Sequence, residues 1–146
     1  MPWKNADEGF SLKAYQDVAK VWTACHGVAY VPPRSVFTDA ECKKMDTDAE
    51  TLFLNGVREK LLVSVSYLTL AAHAHFAYNI GLGAYSTSKA LTLTNAGDAG
   101  GGCDAMLNWY KAGGRDCRKD KGSPSGCYGM WLRRIEERNV CLEGLK

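Results

Sequence analysis

The stretch EGFSLKAYQDVAKVWT, Glu8 to Thr23, carries a carboxylate at Glu8, a second at Asp17 and a hydroxyl at Thr23, set among aromatic and small residues. It lies where a helical pattern gives way to an extended one. Trp3 to Glu8 suit a short helix, with Gly9 at the position of a left-handed cap. Glu8 then occupies the last turn, at the negative end of the helix dipole, where an anion is disfavoured and a proton is easier to keep. From Leu12 to Tyr30 the β-formers predict two or three short antiparallel strands, with turns near Asp17-Val18-Ala19-Lys20 and His26-Gly27. Successive strand side chains point to opposite faces, so Trp22 and Thr23 divide between a core and a cleft. Two acids at a fixed separation, one protonated and one ionised, are what hydrolysis of a sugar–sugar bond requires.

Beyond this stretch, Pro32-Pro33 can continue neither a helix nor a central strand. Thr38 and Glu41 have the spacing of a capping box, which starts a helix running toward Asn55-Gly56. The apolar run from Leu61 to Ile80 is broken by Ser64, Ser66, Thr69, His73 and His75, so it reads as a buried helix ending at Asn79-Ile80-Gly81 and not as a membrane span. Ser86-Thr87-Ser88 can cap a helix that ends near Asn95-Ala96-Gly97. Asp98 can cap another that extends to Ala112 and stops at Gly113-Gly114. Lys119 to Gly126 reads as a surface loop, and the final helix is expected from near Ser125 to Cys141.

These elements predict an α+β, mainly helical, two-lobed chain. A single domain of residues 1–146 would hold a small β-containing lobe at about 10–37, a connecting helix at about 38–56 and a helical lobe at about 57–146 joined by the N-terminal helix. At 146 residues, 46% hydrophobic and 23% charged, the composition is that of a folded globular chain and excludes extensive disorder. The Met1-Pro2-Trp3 start shows no signal-peptide pattern. Eight basic residues against four acids between Lys111 and Arg138 form a modestly basic face. That face suits an anionic polymer such as a bacterial wall, or is a solvated helix surface. It lacks the aromatic interleaving of a nucleic-acid binder.

The six cysteines, Cys25, Cys42, Cys103, Cys117, Cys127 and Cys141, include no C-x-x-C pair. Disulfides are therefore expected ahead of zinc or dithiol redox chemistry, with fifteen full pairings open. Cys25-His26 is a poor nucleophile–base pair, because adjacent strand residues point apart. His73 and His75 are about 200° apart around a helix, which excludes them as a metal pair. No metal or cofactor is expected. Trp109, Tyr110, Trp131, Phe76 and Tyr78 are expected mainly in the core, while Tyr85, near the glycines, is placed to line a saccharide groove.

The order Glu, eight residues, Asp, five residues, Thr, with its Glu-Gly pair and Ala-Tyr-x-Asp strand, resembles the catalytic region of the phage-type lysozymes, the endolysins of glycoside hydrolase family 24. Tyr78-Asn79-Ile80-Gly81, Asn95-Ala96-Gly97-Asp98, Trp109 through Gly114 and the terminal LRRIEERNVCLEG resemble further segments of that family, so the likeness covers nearly the whole chain. It implies a lysozyme-like fold with the cleft between two lobes. It also implies hydrolysis of the β-1,4 bond between N-acetylmuramic acid and N-acetylglucosamine in peptidoglycan, by inversion, for host cell lysis. Glu8 would be the general acid, and Asp17 would hold a water with help from Thr23. Inversion needs the carboxyl groups about 6.5–9.5 Å apart. The resemblance further implies that Arg134 of the final helix approaches Glu8.

A monomer acting in the periplasm or wall is expected, with glycan strands as partner. A lytic transglycosylase would not need Asp17, and an inactive wall-binding protein would not need the three groups together. The chain departs from the family after Thr23. Many members read x-Gly-x-Gly-His-Thr there, whereas Cys25 and Val28 replace the usual glycine and histidine.

Overall fold

The structure, a computed structural model, describes residues 10–17, 20–121 and 126–146. The expected helix from Trp3 to Glu8 lies outside the described residues. The chain divides into two compact units, Met1–Leu52 and Phe53–Lys146.

In the first unit β1 (Ser11–Gln16), β2 (Trp22–Cys25) and β3 (Val28–Ala29) form an antiparallel sheet in that order. The register pairs Tyr15 with Thr23 and Gln16 with Trp22, then Thr23 with Ala29 and Ala24 with Val28. Leu12, Ala14, Trp22 and Val28 pack with Phe37 and Met45 on buried Ala24, Cys25, Val31 and Cys42. The chain from 35 to 37 lies along β1, with Ala14 N donating to Ser35 O at 2.8 Å and Phe37 N to Leu12 O at 2.8 Å. Those bonds occupy an edge that would otherwise present unpaired backbone groups.

Helix α1 (Asp39–Lys60) opens on the predicted capping box: Thr38 N donates to Glu41 Oε1 at 2.9 Å and Glu41 N to Thr38 Oγ1 at 3.1 Å. It runs one turn past Gly56. That glycine serves close packing, because a Cβ there would lie 2.7 Å from Leu82 Cδ1.

In the second unit the apolar run is not helical from residue 61. Asn95 diverts the chain, its Nδ2 donating to Lys60 O at 3.0 Å and its Oδ1 accepting from Leu62 N at 2.8 Å. Helix α2 (Tyr67–Ile80) starts only where Ser66 Oγ caps Thr69 N, and it ends at Gly81 with φ +92°. Its residues from Thr69 to Ala77 are all buried.

A short α3 (Leu82–Ser86) follows, absent from the sequence reading. Then come α4 (Lys89–Asn95), capped by Ser88, and α5 (Ala99–Ala105), capped by Asp98, both caps as predicted. Helix α5 does not reach Ala112. The chain passes through a 3-10 turn at Met106–Asn108 into a hairpin of β4 (Lys111–Ala112) and β5 (Arg115–Asp116). Gly113 and Gly114, at φ +56° and +79°, form its two-residue turn. Positive φ at both central positions matches the twist of the flanking strands and favours Gly-Gly.

Helix α6 (Tyr128–Glu143) closes the chain. It begins three residues after Ser125, which lies outside the described residues. Disulfides join Cys25 to Cys42, Cys103 to Cys141 and Cys117 to Cys127. Among the described residues no helix is long and apolar enough to cross a membrane.

Candidate active site

Glu8 lies outside the described residues. Asp17 follows directly on β1, and Thr23 sits on the neighbouring β2, so the hairpin brings both into one unit. Val21 joins them. Its carbonyl accepts from Asp17 N at 3.0 Å and from Thr23 Oγ1 at 2.9 Å, and its amide donates to Asp17 Oδ1 at 2.9 Å. The turn is tightened by Lys20 N donating to Asp17 O at 2.8 Å, with Lys20 at φ +61°. Trp22 packs on the small core, as the alternation of strand faces requires when Thr23 points the other way. Thr23 itself is buried, so its hydroxyl is held in a defined direction.

The departure after Thr23 has a structural answer. Cys25, where the resemblance leads one to expect glycine, has φ +58°, a left-handed conformation that glycine adopts without strain. Its sulfur is bonded to Cys42, which also removes Cys25 as a nucleophile. His26 pairs with Asp46, its backbone N donating to Oδ1 at 3.0 Å and its Nδ1 lying 2.6 Å from Oδ2. A histidine–carboxylate contact is thus present from position 26, while Val28 is an apolar partner of the small core.

In the helical unit Arg134 is 1% exposed and pairs with fully buried Glu137, Nε to Oε1 at 2.7 Å and Nη2 to Oε2 at 3.2 Å. Glu137 Oε2 also meets His75 Nδ1 and accepts from Asn79 Nδ2 at 3.1 Å, while Arg133 Nη1 donates to Asn79 Oδ1 at 3.1 Å. The expected approach of Arg134 to Glu8 involves a residue outside those described. Arg133 and Arg134 line a cavity of about 240 Å³ with Asn79, Ile80, Trp109, Lys111 and Met130.

Tyr85 does not line a groove. It is fully buried, and its hydroxyl lies 2.6 Å from His73 Nδ1. Burial lowers the His73 pKa to about 4 and raises that of Tyr85, so a neutral imidazole accepts from a protonated phenol. His73 and His75 therefore serve separate packing roles. No cluster of three potential metal ligands occurs among the described residues.

The sequence model of phage lysozymes matches residues 5–137. The chain belongs to the phage lysozyme family. It is similar to the SAR-endolysin of Escherichia phage N15, 38% identical over 136 residues that make up 89% of this chain and 76% of the relative. The probable prophage lysozyme of Escherichia coli K12 is 33% identical over 145 residues, 95% of this chain and 80% of that one. Among solved structures, the muramidase domain of SpmX from Asticaccaulis excentricus superposes with a TM-score of 0.80 at 19% identity, covering 97% of this chain and 92% of that one. The active form of P1 phage endolysin Lyz gives 0.80 at 19% identity, covering 99% and 83%. These two carry the lysozyme-like fold. This phage lysozyme is accordingly a glycoside hydrolase, a muramidase whose substrate is peptidoglycan.

On the lysozyme's basic face several charges are already paired. Arg118 forks onto Asp116 at 3.0 and 2.7 Å and lies 3.8 Å over the Tyr110 ring, holding the Asp116 carboxyl near a pKa of about 2. Arg115 contacts Asp120, and Arg138 contacts Asp104. Sequence reasoning missed the roles of His75, Glu137 and Asp46. The one available signal was the i, i+3 spacing of Arg134 and Glu137 on a single helix face.

Proposed function

We propose that this lysozyme hydrolyses the β-1,4 bond between N-acetylmuramic acid and N-acetylglucosamine with inversion at the anomeric carbon, for host lysis. Glu8 donates its proton to the leaving oxygen. Asp17, ionised, holds the attacking water with Thr23. The supporting observation is the commitment of hydrogens around Val21. The Thr23 hydroxyl gives its hydrogen to the Val21 carbonyl, so it meets a water only as an acceptor. The Asp17 carboxylate is also only an acceptor. A water donating one hydrogen to each turns its lone pair outward, toward an anomeric carbon.

A single catalytic domain, acting as a monomer on glycan strands in the periplasm or wall and without nucleic acid, accompanies this reading. Digestion of peptidoglycan followed by mass spectrometry tests it. Hydrolysis leaves reducing ends, one water heavier than the anhydro-muramic ends of a transglycosylase. NMR of the first-formed anomer reports inversion. Glu8→Gln should abolish release while preserving the melting transition, and full activity in that variant would remove Glu8 from the scheme.

A further inference from the structure

Thr23 lies in the central strand of the small sheet, two residues before the end of β2. Strand β3 has only two residues, paired through Thr23–Ala29 and Ala24–Val28. A pairing this short contributes few backbone hydrogen bonds of its own. Cys25 then turns out of the strand conformation at φ +58°. The pairing of Cys25 with Ser11 of β1 lies beyond an irregularity in the register, so the direction in which the chain leaves Thr23 depends also on what Cys25 and His26 are tied to.

Both are tied to one face of α1. Cys42 bonds to Cys25, and Asp46, one helical turn on, takes the backbone amide and Nδ1 of His26 at 3.0 and 2.6 Å. A disulfide alone is a single attachment about which the turn can rotate. The carboxylate on the next residue removes that rotation, through charge-assisted bonds of the stronger kind. Asp46 and His26 are 12% and 22% exposed at their side chains, so the contact is partly shielded from water. The His26 ring also packs on Phe10, at 4.7 Å between centroids, and Phe10 is two residues beyond Glu8 in the chain.

We propose that His26 and Asp46 are positioning residues of the muramidase reaction: with the Cys25–Cys42 bridge they clamp the turn after β2 to α1 and so aim the Thr23 hydroxyl. The clamp acts through Thr23 and rests on the water-holding role given to that residue above.

The test uses the full chain. Turnover on soluble glycan-strand fragments of peptidoglycan is measured for Asp46→Ala and Asp46→Asn well below their melting temperatures, and the Thr23 methyl resonance is followed in threonine-labelled protein. Asp46→Ala is expected to lower kcat about ten- to a hundredfold with KM unchanged, as small misplacements of a reacting group do. Its Thr23 methyl resonance should move. Asp46→Asn still offers Oδ1 to the His26 amide and should recover most of the lost kcat.

A folded Asp46→Ala with wild-type kcat, or with an unmoved Thr23 methyl, overturns the clamp. If Asp46→Ala does not fold, His26→Ala carries the same two readouts. Thr23→Val separates the two ideas. Wild-type kcat in Thr23→Val removes the role of Thr23 itself, whereas a lowered kcat there with no Thr23 displacement in the clamp variants removes only the clamp.

Discussion

Asp17 and Thr23 donate to the same acceptor, the carbonyl of Val21, at 3.0 Å from the Asp17 amide and 2.9 Å from the Thr23 hydroxyl. One peptide group therefore touches both. Because Val21 N also holds Asp17 Oδ1 at 2.9 Å, a neutral amide at position 17 keeps the geometry and loses the charge. Asp17→Asn should reduce kcat on peptidoglycan by a factor of about a hundred or more, the usual contribution of a positioned base, with little change in melting temperature. Thr23→Val should cost less, because Asp17 remains. Turbidity clearing of wall suspensions, paired with thermal melts, checks both.

The left-handed Cys25 gives a stability prediction in which two effects oppose. Removing the Cys25–Cys42 bridge, of sequence separation 17, frees a loop whose closure is worth about 3 kcal/mol. Cys25→Ala with Cys42→Ala incurs that loss and leaves a side chain at φ +58°. Cys25→Gly with Cys42→Ala incurs the same loss but relieves the conformation, and should be more stable than the alanine pair by about 1 kcal/mol. Denaturant titrations of the two double variants measure the difference.

What was legible in the sequence was what neighbours decide. The Thr38–Glu41 box, the Ser88 and Asp98 caps and the strand turns are set by residues within one turn of each other, and each stands where its spacing places it. Gly113-Gly114 reads as a helix stop and is a hairpin turn, because positive φ suits a helix C-cap and a hairpin turn equally. The delayed start of α2 was out of reach, because Asn95 takes the Leu62 amide from 33 positions away. At the site, Asp17 and Thr23 share a short hairpin, and the role proposed for them rests on the resemblance of the whole stretch around them and not on their spacing alone. Tyr85 was not legible, since its burial depends on His73 across the helical packing, and the pairing of His75 with Glu137 spans 62 positions.

The Arg134–Glu137 pair is held away from water with both groups almost completely buried. Removing one charge strands the other. Glu137→Gln leaves the Arg134 guanidinium uncompensated and also weakens the contacts of Glu137 with His75 and Asn79. A loss of about 3–5 kcal/mol is expected, as for other buried pairs broken on one side. Arg134→Met together with Glu137→Leu should recover only the part due to the stranded guanidinium, because His75 and Asn79 still lose their acceptor. Chemical unfolding of the single and double variants measures the coupling.

His73 makes stability depend on pH with a fixed sign. Its pKa falls from the ordinary 6.5 to about 4 because burial penalises the imidazolium. Between those values the unfolded chain binds a proton that the folded chain does not, so stability rises with pH through this window. The contribution is fully present above 6.5 and lost as the pH drops toward 4. Its size is about 3 kcal/mol at most. His73→Gln cannot titrate and should flatten the melting temperature over this range, at the cost of a poorer partner for Tyr85. An unchanged pH slope in that variant assigns the dependence to other groups, so melts of both proteins at half-unit steps from pH 4 to 7 decide the matter.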